Sequence, residues 1–112
     1  MTVVEAFNPS ALPYVAWSSA TYAHIPAGKW PLVYGSMQTL KAHVQEYPGC
    51  QKLEAFVEPS GEDGSVHVHC YTIWDTPEQL EAFLERGYTF ERMLADVAQV
   101  TPEQTRIMEK VF

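Results

Sequence analysis

The sequence predicts an α+β fold in which a four-stranded antiparallel sheet carries its helices on one face. Three observations predict it. Trp30, Val33, Tyr34, Met37, Leu40, Val44 and Tyr47 recur at three- and four-residue steps, the clearest helical periodicity in the chain. Residues 65–75, SVHVHCYTIWD, alternate with period two instead, as a strand does. The elements run in the order strand, helix, hairpin, helix pair, strand, which lets every helix lie on the same side of one sheet.

Residues 1–13 hold Asn8-Pro9-Ser10 and Pro13 and read as an irregular arm ahead of a domain spanning 14–112; a short strand at 2–7 stays open. Residues 14–24, YVAWSSATYAH, are rich in aromatic, β-branched and small side chains and stop at Pro26-Ala27-Gly28. They form the first strand, with Trp17, Ser19 and Thr21 on one face. In the helix that follows, Pro31 suits the first turn, where a missing amide costs little, and Pro48-Gly49 ends it. Residues 50–58 and 65–74 flank Pro59-Ser60-Gly61-Glu62-Asp63-Gly64, a run of turn formers, and so make a hairpin with a long loop. Thr76-Pro77-Glu78-Gln79 supplies a threonine N-cap, a proline at the first helical position and a glutamine placed to complete a capping box. Leu80, Phe83 and Leu84 face inward on that helix; Gly87 breaks it, and Phe90, Met93, Leu94 and Val97 mark the next. Residues 106–112 read as a last strand, with a terminal helix as the alternative.

Alternation divides the hairpin. Val66, Val68, Cys70, Thr72 and Trp74 share one face with Leu53, Ala55 and Val57; His67, His69, Tyr71 and Ile73 share the other with Lys52, Glu54, Phe56 and Glu58. With the apolar sets under the helices, both histidines, Phe56 and Tyr71 lie on an open face, with Glu54 expected across from His69 or near it. A second copy of the chain is the natural cover for such a face.

At 112 residues and 46% hydrophobic, one domain is expected. A formal net charge of −7 argues against nucleic acid or anionic lipid as a partner, because both call for a basic face. The chain has no basic start followed by a long apolar run, and no apolar run of about eighteen residues, so no membrane association and a cytoplasmic location are expected. Cys50 and Cys70 are expected as reduced thiols.

These features resemble the antibiotic biosynthesis monooxygenase family, of the ferredoxin-like dimeric α/β-barrel group. The resemblance lies in the helix leading into Tyr47-Pro48-Gly49-Cys50, in the strand ending at Trp74-Asp75-Thr76-Pro77-Glu78, and in Leu80 and Phe83 on the next helix; it covers residues 14–112. It implies a homodimer with sheets face to face, and in each subunit a cavity between sheet and helices for a hydrophobic small molecule. Cofactor-free members oxidise polycyclic aromatic phenols to quinones; others open haem or cyclise polyketides. The asparagine, tyrosine and arginine of the cofactor-free site fall at Cys70, Leu80 and near Arg92, beside a retained Trp74. The asparagine, tryptophan and histidine of the haem-degrading members fall near Thr21, Phe83 and Met93, none retained, which argues against haem cleavage by that route.

The resulting expectation is a cofactor-independent monooxygenase, or a related small enzyme, acting on an aromatic or enolisable molecule with no bound cofactor. Trp17, Thr21, Tyr34, Cys70, Trp74, Phe83, Tyr88 and Met93, with Phe90, are the candidate pocket; plain core is the competing reading for its aromatic members. His24 and Arg92 are the candidate catalytic pair, an imidazole to take a phenolic proton and a guanidinium to stabilise the anion; each also reads as an ordinary surface residue. Cys70 as a nucleophile would need a neighbouring base, so a small buried residue is the expected reading. His67 and His69 at i and i+2, with Glu54, are the one candidate metal set, weighed against hydrogen-bonded histidines at a dimer contact; Cys70 points the other way. The alternatives in function are a ligand-binding barrel without catalysis and a haem- or metal-associated stress protein.

Overall fold

The computed structural model describes residues 16–59 and 61–112. The expected arm at 1–13, its open strand at 2–7 and the first two residues of the expected first strand lie outside the described residues. Strand β1 (Trp17–Ile25) leads through a 3-10 turn, Ala27–Lys29, into α1 (Trp30–Val44), with Pro31 in the first turn. The helix stops before Tyr47, short of the apolar periodicity, because Pro48 disfavours helical backbone in the residue before it. Gly49 then turns the chain at φ +84°, a conformation that favours glycine, and its carbonyl accepts the Asp75 amide at 2.9 Å. Tyr47 still reaches the core, its ring edge-on to Phe83 at 5.2 Å.

β2 (Cys50–Pro59) and β3 (Val66–Trp74) form the hairpin. In its loop Asp63 Oδ1 accepts from the Ser65 amide at 3.0 Å and the Ser65 hydroxyl at 2.7 Å, bonds that hold the carboxyl below its usual range. α2 (Pro77–Arg86) is capped by the Thr76 hydroxyl, which accepts the Gln79 amide at 3.2 Å. Only this half of the expected capping box forms: the Gln79 side chain lies against Gly49, and its Oε1 is buried without a partner. α3 (Phe90–Ala98) is capped in the same way by Thr89 and ends at Gln99 in left-handed conformation, φ 53°. β4 (Gln104–Glu109) closes the fold as a strand, so the terminal-helix alternative falls.

The sheet order is β2-β3-β1-β4, antiparallel throughout, with the helices on one face: a ferredoxin-like α+β arrangement. The register pairs Trp17 with Trp74, Ser19 with Thr72, Thr21 with Cys70 and Ala23 with Val68, so these residues share the helix-side face. Val66, Val68, Cys70, Thr72 and Trp74 are all buried, while the residues between them are half-exposed. In β2 the parity holds, Leu53, Ala55 and Val57 lying opposite Thr72, Cys70 and Val68, yet only Leu53 is buried. β2 is a sheet edge and the helices leave its outer half uncovered, so Val57 stays exposed. Among the described residues no helix is long and apolar enough to cross a membrane.

Candidate functional site

The helix-side face of the sheet is divided by composition. Toward one end β1 and β3 present Ala23, Ile25, Val66 and Val68, which pack into the core. Toward the other they present Ser19, Thr21, Cys70 and Thr72, and there the sheet and the α2–α3 corner enclose a cavity of about 530 Å³. Thr105 and Ile107 of β4 extend its floor; Phe83, Leu84, Phe90 and Ala95 form its walls; Thr89, Glu91 and Arg92 complete the lining. Volume and lining suit a small, largely apolar molecule.

The polar floor is internally bonded. The Trp74 indole N–H donates to Thr72 Oγ1 at 2.9 Å, the Thr72 and Ser19 hydroxyls bond to each other, and the Thr21 and Thr105 hydroxyls lie 3.2 Å apart. Cys70 is 2% exposed, and burial pushes its thiol up to about 12, so it stays a neutral, poorly nucleophilic thiol at physiological pH.

Arg92 reaches back from α3 to the end of α2. Its guanidinium donates to the carbonyl of Gly87 and, at 3.0 Å each, to those of Leu84 and Glu85, orphan acceptors at the helix C-terminus. Gly87 makes this corner tight: a Cβ there would fall 2.4 Å from the Phe83 ring. The corner forms the wall of the cavity.

Of the residues expected from sequence, Thr21, Cys70, Phe83, Phe90 and Arg92 come together around this space. Trp74 and Met93 do not line it: both are fully buried in the core, Trp74 stacked on Phe83 with ring centroids 4.9 Å apart. Trp17 packs against the core without lining the cavity. Tyr34 projects outward from α1 at 58% exposure, beside Trp30 in a surface groove along β2. Tyr88 faces a separate groove with His43 and donates its hydroxyl to Asp96 Oδ2 at 2.9 Å; burial and that carboxylate raise its pKa.

His24 is corrected most clearly. It pairs across from His67, on the sheet face away from the cavity, and is exposed, so it cannot act with Arg92. Its ring belongs to an aromatic cluster on the open face: His24 to His67 at 5.1 Å, Tyr22 to His67 at 5.1 Å, Tyr22 to His69 at 4.6 Å. His69 Nε2 meets Glu58 Oε1 at 3.0 Å, whereas Glu54 lies across from Tyr71 and pairs with Lys52 at 2.8 Å. Glu54 therefore does not join the two histidines, and among the described residues no three His, Cys, Asp or Glu side chains converge to hold a metal.

Sequence reasoning placed Ser19 on the correct face but missed it as a site residue, along with Thr72, Thr89, Glu91 and Thr105. Alternation could have flagged Thr72 as a hydroxyl among alkyl neighbours. Pairing it with Ser19 required the β1–β3 register, which only the folded sheet supplies.

No family model matches the chain, and no curated protein matches it. Solved structures do. A candidate antibiotic biosynthesis monooxygenase from Nitrosomonas europaea superposes with a TM-score of 0.62 over 90% of this chain and 92% of its own, at 14% identity. Another from Deinococcus radiodurans gives 0.61 over 85% and 89%, at 15% identity. The chain therefore has the fold of these monooxygenase-type structures. The fold by itself carries no chemistry: a de novo designed protein also superposes, with a TM-score of 0.52 at 14% identity.

Proposed function

We propose that the chain is a monooxygenase-type enzyme that works without a bound cofactor on a hydrophobic, aromatic or enolisable small molecule. The observation that carries this reading is the hollow over the polar half of the sheet, with aromatic walls and the Glu91–Arg92 pair in its lining. A flat substrate lies against Phe83 and Phe90. Glu91, the one carboxylate among the described lining residues, takes the proton in place of the misplaced His24, and Arg92 stabilises the anion through its remaining N–H groups and its charge. The electron-rich anion then reacts with dioxygen; one oxygen atom enters the substrate as a carbonyl, the other leaves as water, and the substrate supplies the electrons.

Oxygen uptake with a panel of dihydroxy- and trihydroxyaromatics tests this. Turnover by the wild type is expected, with Arg92→Leu lowering kcat/KM by about ten- to a hundredfold. A second reading, a ligand-binding protein of the same fold, draws support from one feature: the Arg92 guanidinium already serves three backbone carbonyls. Ligands that bind and are recovered unchanged would favour it and exclude catalysis on that panel. The haem- or metal-associated reading loses Glu54, its third candidate ligand, to Lys52.

The working unit we propose is a homodimer closed over the open sheet face. Phe56 on that face is 57% exposed and Met108 39% exposed, with Tyr71 beside Phe56 at a ring distance of 6.0 Å. Light scattering is expected to give twice the chain mass, and Tyr71→Glu to shift the population toward monomer. A wild-type monomer at micromolar concentration would overturn the assignment.

A further inference from the structure

We infer that the Ser19–Thr72 hydroxyl pair is the ligand-reading element of the cavity, selecting a neutral ligand with a carbonyl oxygen over both its hydrocarbon and its carboxylate counterparts. This rests on the reading of the cavity as the ligand site. The argument is a count of protons. Trp74 N–H, Thr72 O–H and Ser19 O–H bring three donors to a group that contains two hydrogen bonds, indole to Thr72 and one between the hydroxyls. An indole N–H only donates, so its bond to Thr72 is fixed in direction. Whichever hydroxyl donates across the pair, one O–H is left without an acceptor among the described residues. Both residues are 5% exposed and both line the cavity, so the surplus O–H is available to donate to an oxygen acceptor of a ligand held there.

Charge narrows the ligand further. Among the described residues Glu91 and Arg92 are the only charged members of the lining, and they stand on α3, opposite in sign, rather than on the sheet floor beside Ser19 and Thr72. An anionic ligand would give up its hydration for a floor with no cation on it. The Thr21–Thr105 pair repeats the count, with two O–H groups and one bond, but Thr105 is exposed and its proton can meet solvent. The discriminating donor is therefore the Ser19–Thr72 pair.

A matched set of probes tests this on the full chain: α-tetralone, tetralin and 1,2,3,4-tetrahydronaphthalene-1-carboxylate, titrated while the Trp74 indole resonance is followed by NMR. The wild type is expected to bind the ketone about three- to tenfold tighter than the hydrocarbon, with the carboxylate weakest and the indole signal shifting most with the ketone. Ser19→Ala should retain the preference, because Thr72 then carries the spare proton. Ser19→Ala with Thr72→Val should bring the ketone-to-hydrocarbon ratio to about one. Equal binding of ketone and hydrocarbon by the wild type, tightest binding of the carboxylate, or a preference surviving in the double variant would overturn the inference while leaving the cavity as a ligand site. Binding of none of the three would overturn both. The wild-type ratio decides the matter even if the double variant does not fold.

Discussion

Replacing Trp74 by alanine is expected to lower the unfolding free energy by about 3–5 kcal/mol, a large share of the roughly 5–15 kcal/mol that holds a domain of this size together. Trp74 is 0% exposed, the largest of the fully buried side chains, and it stands at the meeting point of β3, α2 and the α1–β2 turn. Its ring lies 4.9 Å from that of Phe83 at 31°, and 6.5 Å from that of Tyr47, so truncation unseats two further rings. Trp74→Phe keeps an aromatic ring in the site but removes the N–H held by Thr72 and part of the buried ring volume, so a smaller loss of about 1–3 kcal/mol is expected there. Urea denaturation checks both, the midpoint falling while the slope stays near the wild-type value. A loss below about 1 kcal/mol for Trp74→Ala would show that this end of the core is not organised around the indole.

Trp74 also shows which part of the molecule was legible in sequence. Its burial followed from alternation in residues 65–75, as did the separation of Cys70 from His67 and His69, because a strand leaves each side chain only two directions. The helices and the cap of α2 were legible for the same local reason: Thr76 and Pro77 announce the start of α2 without help from the rest of the chain, whereas the Thr89 cap of α3 was not foreseen. The site was harder, since it is a property of pairings across the sheet. His24 was placed by its position near a turn, yet the β1–β3 register sets it beside His67 on the far face. Tyr34 fell on the apolar periodicity of α1, but the helix turns that residue toward solvent, and the hydrophobic stripe was wider than the buried one. Glu58 rather than Glu54 meets His69, a shift that parity alone could not decide because both glutamates share a face. Arg92 was legible as a positive charge near the pocket; that it would fasten the end of α2 depended on the sharp corner at Gly87.

Cys70 carries the second large effect, and it concerns alkaline pH. Burial pushes its thiol from an ordinary value near 9 up to about 12. Between those values the unfolded chain has released a proton that the native chain retains, so the unfolded state binds fewer protons and stability falls as pH rises. Below about pH 8.5 the group makes no difference to the pH dependence. Above it the loss amounts to about 1.4 kcal/mol per pH unit, reaching roughly 3–4 kcal/mol by pH 12. Tyr22 and Tyr88, whose pKa values are also raised, and Cys50 likewise, add to the loss in the wild type, but they persist in a Cys70→Ala variant and cancel in the difference. The measurement is therefore the gap between the two proteins in urea titrations from pH 7 to pH 11. At pH 7 Cys70→Ala is expected to be the less stable by about 1 kcal/mol, because a buried sulfur has been removed. The gap should close above pH 9 and reverse by about pH 10–11, where the alanine variant has no proton to lose. Parallel curves across that range would mean that Cys70 ionises in the native state much as it does in the unfolded chain. A thiolate would then be accessible on the floor of the cavity, and a nucleophilic role for Cys70 would replace the inert one that its burial assigns.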